Sequence, residues 1–152
     1  MVFPWQLVVF HLDEWRYALP LPDVERVVMV AEITPLPKAP PVVSGVVNYQ
    51  GRIIPVIDIR KRFNLPAHEA RLADRMILAT TSKRSVALVV DAVSGVVERI
   101  GEEITAPGKI IPGLDYVEGV VKLDDGLILI HNLETFLSLD EEKKLENAMS
   151  TT

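Results

Sequence analysis

No cysteine occurs among the 152 residues, which excludes disulfides, zinc ribbons, thiol catalysis and iron–sulfur centres together and fits a reducing compartment. Long apolar runs are also missing: charge, Gly or Pro interrupts each one well before the roughly 20 residues a membrane helix needs. The N-terminus has no basic region followed by an apolar stretch. The expectation is a cytoplasmic protein with no direct membrane insertion. An excess of basic residues is lacking as well. Sixteen Lys and Arg stand against 21 Asp and Glu, for a formal charge of −5 and a pI near 5.2, a balance that repels a phosphate backbone and argues against nucleic-acid binding.

What is present is β-forming. Hydrophobic residues make up 49% of the chain and charged residues 24%, enough for one domain of two small lobes to bury a core without covalent staples. Val and Ile supply 33 residues, and their stiff χ1 suits strands better than helices. Eleven prolines and eight glycines punctuate the apolar runs, at a spacing typical of short strands in barrels or sandwiches. Strands are expected at Leu7–Leu12, Tyr17–Leu21, Val24–Val30, Val46–Tyr49, Ile53–Asp58, Arg75–Thr81, Val86–Val90, Val96–Ile100, Val117–Leu123 and Leu127–Ile130. The proline-rich run from Pro35 to Pro41 reads as an extended connector or a first helical turn, and Asp124-Asp125-Gly126 as a tight hairpin turn. The stretch from Asn64 to Asp74 reads as a solvated, mobile loop between two halves. Ser138 with Glu141 forms a capping-box pattern ahead of a terminal helix, in which sparse apolar positions, Leu145 and Met149, predict weak docking or fraying.

Two stretches repeat. Val43-Ser44-Gly45-Val46-Val47 recurs as Val117-Glu118-Gly119-Val120-Val121, 74 positions later, followed in both copies by a glycine turn, a strand, and Asp58-Ile59 matched by Asn132-Leu133. Upstream, Ala18-Leu19 and Val24 align with Ala87-Leu88 and Val93 at an offset of 69. Two related lobes of about five strands each follow from this.

Machinery for catalysis is sparse. His11, His68 and His131 have no metal-ligand spacing, and all three read as ordinary surface or core imidazoles. No G-x-S-x-G elbow and no phosphate-cradling glycine motif is present. Asp58 and Asp91 each end an apolar run. With a histidine they are the only constellation suggesting a hydrolase, but strand-end carboxylates more often accept backbone hydrogen bonds in turns. The inventory is that of a binding module.

The run from Pro37 through Val42-Val43-Ser44-Gly45-Val46-Val47-Asn48-Tyr49-Gln50-Gly51-Arg52-Ile53-Ile54-Pro55-Val56-Ile57-Asp58 to Arg60 resembles the central signature of the CheW-like family of chemotaxis adaptors. Tyr17-Ala18-Leu19-Pro20-Leu21 resembles that family's opening strand, Val86 to Val93 its second-lobe element, and Tyr116 to Leu133 its closing repeat. The resemblance implies an all-β fold, two SH3-like five-stranded β-barrel lobes packed together, in one domain over residues 1–152 with a short helical tail at about 138–152. It also implies no enzymatic activity, no cofactor, and a scaffold joining the cytoplasmic tips of chemoreceptors to a histidine kinase of CheA type. An adaptor of a type IV pilus or other non-flagellar chemosensory pathway is the alternative.

The partner-binding residues expected on this basis are Val24, Arg26, Val27, Gly45, Val46, Asn48, Gln50, Gly51, Arg52 and Ile57. Asn48, Gln50 and Arg52 would surround the turn at Gly51, where the family meets its partners; a plain solvated hairpin tip is the other reading. Val24, Val27, Val46 and Ile57 would line an apolar groove between the barrels for a helical hairpin, or be core. Three departures stand out. Gln50 replaces the family's common Arg, with Arg52 one place beyond the glycine. Arg26 stands where Glu is frequent, and His131-Asn132 replaces Leu-Asp. The first two point to an altered partner surface, and the third marks a divergent member.

Overall fold

The structure, a computed structural model, describes residues 4–106 and 116–150. Two sheets account for the strands. The first has the order β8 (Ala92–Arg99), β1 (Trp5–Leu12), β2 (Trp15–Pro20), β11 (Gly126–His131), β10 (Val117–Leu123) and β9 (Ile104–Thr105). The second has the order β3 (Val24–Met29), β6 (Arg75–Thr80), β7 (Ser85–Val90), β5 (Arg52–Ile57) and β4 (Val43–Tyr49). Helix α1 (Ile59–Arg62) follows β5, and α2 (Leu139–Ser150) follows the first sheet. Each of the ten expected strands is found. The two-residue β9 carries too little pattern to be seen in the sequence.

The repeat governs the pairing residue by residue. Val43 pairs with Ile57 and Gly45 with Val56, with a bulge between Val43 and Gly45; Val117 pairs with His131 and Gly119 with Ile130, with a bulge between Val117 and Gly119. Parallel pairing of Val56 with Ala87 is matched by Ile130 with Ala18. The lobes, however, are not the sequence halves. A 3-10 turn at Leu21–Asp23, entered through Pro20 and holding Pro22, carries β3 away from β2 and onto β6, while β8 crosses back onto β1. One lobe is therefore contiguous, β3 to β7. The other is split, its β1–β2 hairpin completed by β8 to β11.

The lobe interiors correspond in the same way. Leu7, Val9, Ala18, Val121, Ile128 and Ile130 fill the split lobe; Met76, Leu78, Ala87, Val47, Ile54 and Val56 occupy the equivalent positions in the contiguous lobe. Alternate residues of the same strands point the other way, into a larger cluster between the lobes that includes Phe10, Leu19, Val46, Ile57, Leu88 and Phe136. Burial on both faces explains why β1 and β7 read as continuous apolar runs rather than alternating ones.

Helix α2 seals that central cluster. Ser138 and Glu141 form the capping box, Glu141 N–H donating to Ser138 Oγ at 3.1 Å and Ser138 N–H to Glu141 Oε1 at 2.8 Å. The expected weak docking is overturned: Leu145 and Ala148 are buried in the cluster and Met149 packs against it, while Arg62 pairs with Glu141 at 2.5 Å and Arg84 with Glu142 at 3.2 Å. Two buried positions on one face suffice when the helix covers an apolar seam rather than forming its own. Residues 151–152 of the expected tail lie outside the described residues. The Pro35–Pro41 run is a connector with turns, preceded by a bridge from Thr34 to Val46.

Candidate partner-binding surface

The β4–β5 hairpin turns on two residues, Gln50 at φ 50° and Gly51 at φ 85°, between the paired Tyr49 and Arg52. Positive φ at both central positions is the signature of the turn whose twist matches that of the strands. Asn48 Oδ1 accepts from Gly51 N–H at 3.0 Å and braces the corner. Gln50 is the residue out of place, because a long side chain resists left-handed backbone that Asn tolerates. Gln50→Asn is expected to stabilise the protein by about 0.5 kcal/mol, seen as a rise of about 1–2 °C in the melting midpoint.

Strand β3 supplies the neighbours of this tip. Arg26 Nη1 donates to Tyr49 Oη at 2.8 Å. Arg52 spans Glu25, with Nη1 to Oε1 at 2.5 Å and Nη2 to Oε2 at 3.3 Å, and also donates to Ser85 Oγ at 2.8 Å. The hydrogen bond from Arg52 holds the Glu25 carboxyl below its ordinary value, and Arg52 is correspondingly raised. Arg26, Asn48, Gln50, Gly51 and Arg52 thus form one exposed polar patch, with both arginines held in fixed orientation by their partners. Salt screens such an exposed pair, so it orients the side chains rather than stabilising the fold.

The expected apolar groove is not built. Val46 and Ile57 are 8% and 1% exposed and belong to the cluster between the lobes, and Val24 packs against the same cluster. Of the four, only Val27 is exposed. The space between the lobes is filled by their own side chains. Gly45 is covered too: a Cβ built on it would lie 2.2 Å from the Thr34 carbonyl oxygen.

A second polar cluster escaped the sequence reading. Arg60, 9% exposed, donates to Asp13 through both terminal nitrogens at 3.1 Å, to Asp91 at 2.8 and 2.7 Å, and to the Pro66 carbonyl at 2.9 Å. Asp91 also accepts from Asp13 N–H at 2.7 Å and lies 2.7 Å from His68 Nε2, whose Nδ1 is 2.6 Å from the Glu69 carbonyl oxygen. Burial pushes the Asp91 carboxyl up, but these donors outweigh it and hold the group at about 2. His68 is raised, the Glu69 carbonyl contributing most and Asp91 next. The cluster ties the β1–β2 turn of the split lobe to α1 of the contiguous one. The positions equivalent to Arg60 and Asp13 by the two repeat offsets, Glu134 and Ser82, also bond to each other, with the polarity reversed, Ser82 Oγ donating to Glu134 Oε2 at 2.8 Å.

Asp58 and Asp91 do not converge. Asp58 caps α1 by accepting from Lys61 N–H at 3.0 Å, and Asp91 is committed to Arg60. His131 is buried with neither ring nitrogen in a hydrogen bond of good geometry among the described residues, stacked on Phe63 at 4.4 Å with Tyr17 at 4.9 Å. Burial pushes its pKa down to about 4, the Tyr116 backbone opposing the shift. Among the described residues, no helix is long and apolar enough to cross a membrane.

Comparison with known proteins follows this geometry. A family model described as CheW-like domain matches residues 6–141. The chemotaxis protein CheW of Treponema pallidum is 28% identical over 149 residues, covering 94% of this chain and 88% of that protein. That of Bacillus subtilis is 30% identical over 139 residues, covering 90% and 88%. Protein FrzA of Myxococcus xanthus is 32% identical over 88 residues, 57% of this chain and 54% of that one. The crystal structure of the scaffolding protein TtCheW from Thermoanaerobacter tengcongensis superimposes with a TM-score of 0.82 at 34% identity, covering 91% of this chain and 96% of that chain. The likeness spans both lobes, so the all-β expectation of two SH3-like lobes with a C-terminal helix holds. The chain belongs to the CheW-like domain family, whose members are noncatalytic scaffolds.

Proposed function

We propose that this protein is a cytoplasmic adaptor that couples the cytoplasmic tips of chemoreceptors to a histidine kinase of CheA type, without catalysis or cofactor. The observation that carries the reading is the exposed patch at the β4–β5 tip, where Arg26 and Arg52 are held ready by Tyr49, Glu25 and Ser85. Charged groups fixed before encounter lose little side-chain freedom on binding and select partners by complementarity. A patch of this size supports modest affinity, which arrays raise by engaging several contacts together.

Binding of the purified protein to cognate kinase and receptor fragments tests this. Arg52→Glu is expected to weaken at least one of the two complexes about tenfold or more while leaving the melting midpoint within about 2 °C of the wild type. Retained affinity for both fragments overturns the assignment of the patch; absence of binding to either at high micromolar concentration overturns the coupling role itself. The departures at Arg26 and Gln50 favour, as a second reading, service in a non-flagellar chemosensory pathway, and the same assay run with receptors and kinases of both pathway types separates the two.

A further inference from the structure

We infer that His68, Asp74 and Asp91 form a binding site for a divalent transition cation of zinc type. His68 Nε2, one oxygen of Asp91 and one of Asp74 all lie within 4.8 Å of one another. Asp74 is the anomaly that points to a ligand. It is 3% exposed, and its Oδ1 is buried without a hydrogen-bond partner among the described residues, although a buried carboxylate oxygen left unpaired is costly.

Each of the three groups already has the outer support that metal ligands need. His68 Nδ1 lies 2.6 Å from the Glu69 carbonyl oxygen, so Nδ1 carries a proton and Nε2 is the nitrogen available to a cation. Asp74 Oδ2 accepts from Arg71 N–H at 2.9 Å, which fixes the carboxylate and leaves Oδ1 without a donor among the described residues. Asp91 Oδ2 accepts from Asp13 N–H at 2.7 Å and from Arg60, and Oδ1, which accepts from Arg60 Nη2 at 2.8 Å, faces His68 Nε2 at 2.7 Å. A zinc-type ion sits about 2.0–2.2 Å from nitrogen and oxygen donors, which places the donors about 3.3–3.5 Å apart. Asp74 has to close by up to about 1.5 Å and the His68–Asp91 contact to open by less than about 1 Å, within the reach of side-chain rotation in a segment that carries neither helix nor strand.

Charge favours the cation. Asp13, Asp74 and Asp91 stand against Arg60 and Arg71, so the carboxylates outnumber the guanidinium groups. A cavity of about 220 Å³, lined in part by Asp58, Arg60, His68, Arg71 and Asp74, gives room for a water as fourth ligand. The imidazole selects a borderline metal such as Zn²⁺ or Co²⁺ over the hard cations Mg²⁺ and Ca²⁺, which take oxygen ligands throughout. An ion here would fasten the loop carrying His68 to the β7–β8 junction.

Titration of the metal-free full-length protein with Co²⁺ and then Zn²⁺ tests the site, read by the visible ligand-field bands of four-coordinate Co²⁺ and by the His68 ring signals in nitrogen-15 NMR. One equivalent is expected to bind, with the Nε2 signal moving and His11 unaffected. His68→Ala is expected to weaken binding at least tenfold and Asp74→Asn likewise, whereas His11→Ala leaves it unchanged. Should the buried Asp74→Asn variant fail to fold, His68→Ala decides alone, because it alters only the loop side of the site. No ligand-field bands with Co²⁺ up to ~1 mM, unchanged affinity in His68→Ala, or binding of Mg²⁺ or Ca²⁺ alone would each overturn the proposal.

Discussion

Replacing His131 by Ile is expected to remove most of the acid sensitivity of the fold between pH 6.5 and 4. The wild-type imidazole is buried among Tyr17, Phe63 and Phe136 and stays neutral when folded, its pKa pushed down from 6.5 to about 4. The unfolded chain takes up a proton at the ordinary value. Stability is therefore full above pH 6.5 and is lost as pH falls toward the folded value, by about 3 kcal/mol in all. Ile is the natural replacement because Ile57 holds the equivalent place in the contiguous lobe. At pH 7.5 the two proteins should agree within about 1 kcal/mol, since losing the ring stacking offsets removal of two unpaired polar atoms. Burial raises Asp23 and Glu118, which act in the opposite direction, so the quantity to measure is the difference between variant and wild type in urea unfolding at each pH. Parallel stability curves would show that His131 is not the group responsible.

Gly45→Ala should be about as damaging at every pH. The new Cβ would stand 2.2 Å from the Thr34 carbonyl oxygen and 2.8 Å from its carbon, and neither atom belongs to a flexible side chain. Thr34 cannot retreat, because it both donates to and accepts from Val46 at 2.8 Å. Two backbone hydrogen bonds at about 1 kcal/mol each, with about 1–2 kcal/mol for a side chain at a positive φ, give a loss of about 3–4 kcal/mol and a fall of roughly 10 °C in the melting midpoint. Gly119→Ala provides the contrast. Its nearest neighbour is the Ile104 side chain at 2.6 Å, carried on the two-residue β9, and it should cost about 1–2 kcal/mol. If Gly119→Ala proved the more damaging of the two, the account of Gly45 as a close approach of two backbones would be wrong.

Much of this architecture was legible before any coordinates, because β-branched runs, turn residues and the repeat at Gly45 and Gly119 all agreed. Which lobe a strand joins was not. Val24 and Val93 carry the same local pattern as their neighbours, and only the long-range pairings with Ala79 and Phe10 decide that β3 and β8 change sheets. Leu145 and Met149 looked too few to anchor a helix because the surface awaiting them, and Ala148 with them, comes from both lobes. In the same way Val46 and Ile57 looked available to a partner, since nothing local says that the face opposite a barrel interior is also covered. At the β4–β5 tip the residues that converge are close in sequence apart from Glu25, Arg26 and Ser85. The Arg60 cluster joins four segments distant in the chain, and no local pattern announces it.

The exchange of strands between lobes also orders the folding of the chain in time. Everything needed for the contiguous lobe has left the ribosome once Val90 has emerged, and its β4–β5 and β6–β7 hairpins require only short loop closures, with β3 joining β6 over a longer one. The split lobe must wait for β11, because Ala18 has no parallel neighbour until Ile130 arrives. Until then β1 and β2 expose an unpaired edge, and slow closure of so wide a loop makes the nascent amino-terminal hairpin the part of the polypeptide most in need of protection during synthesis.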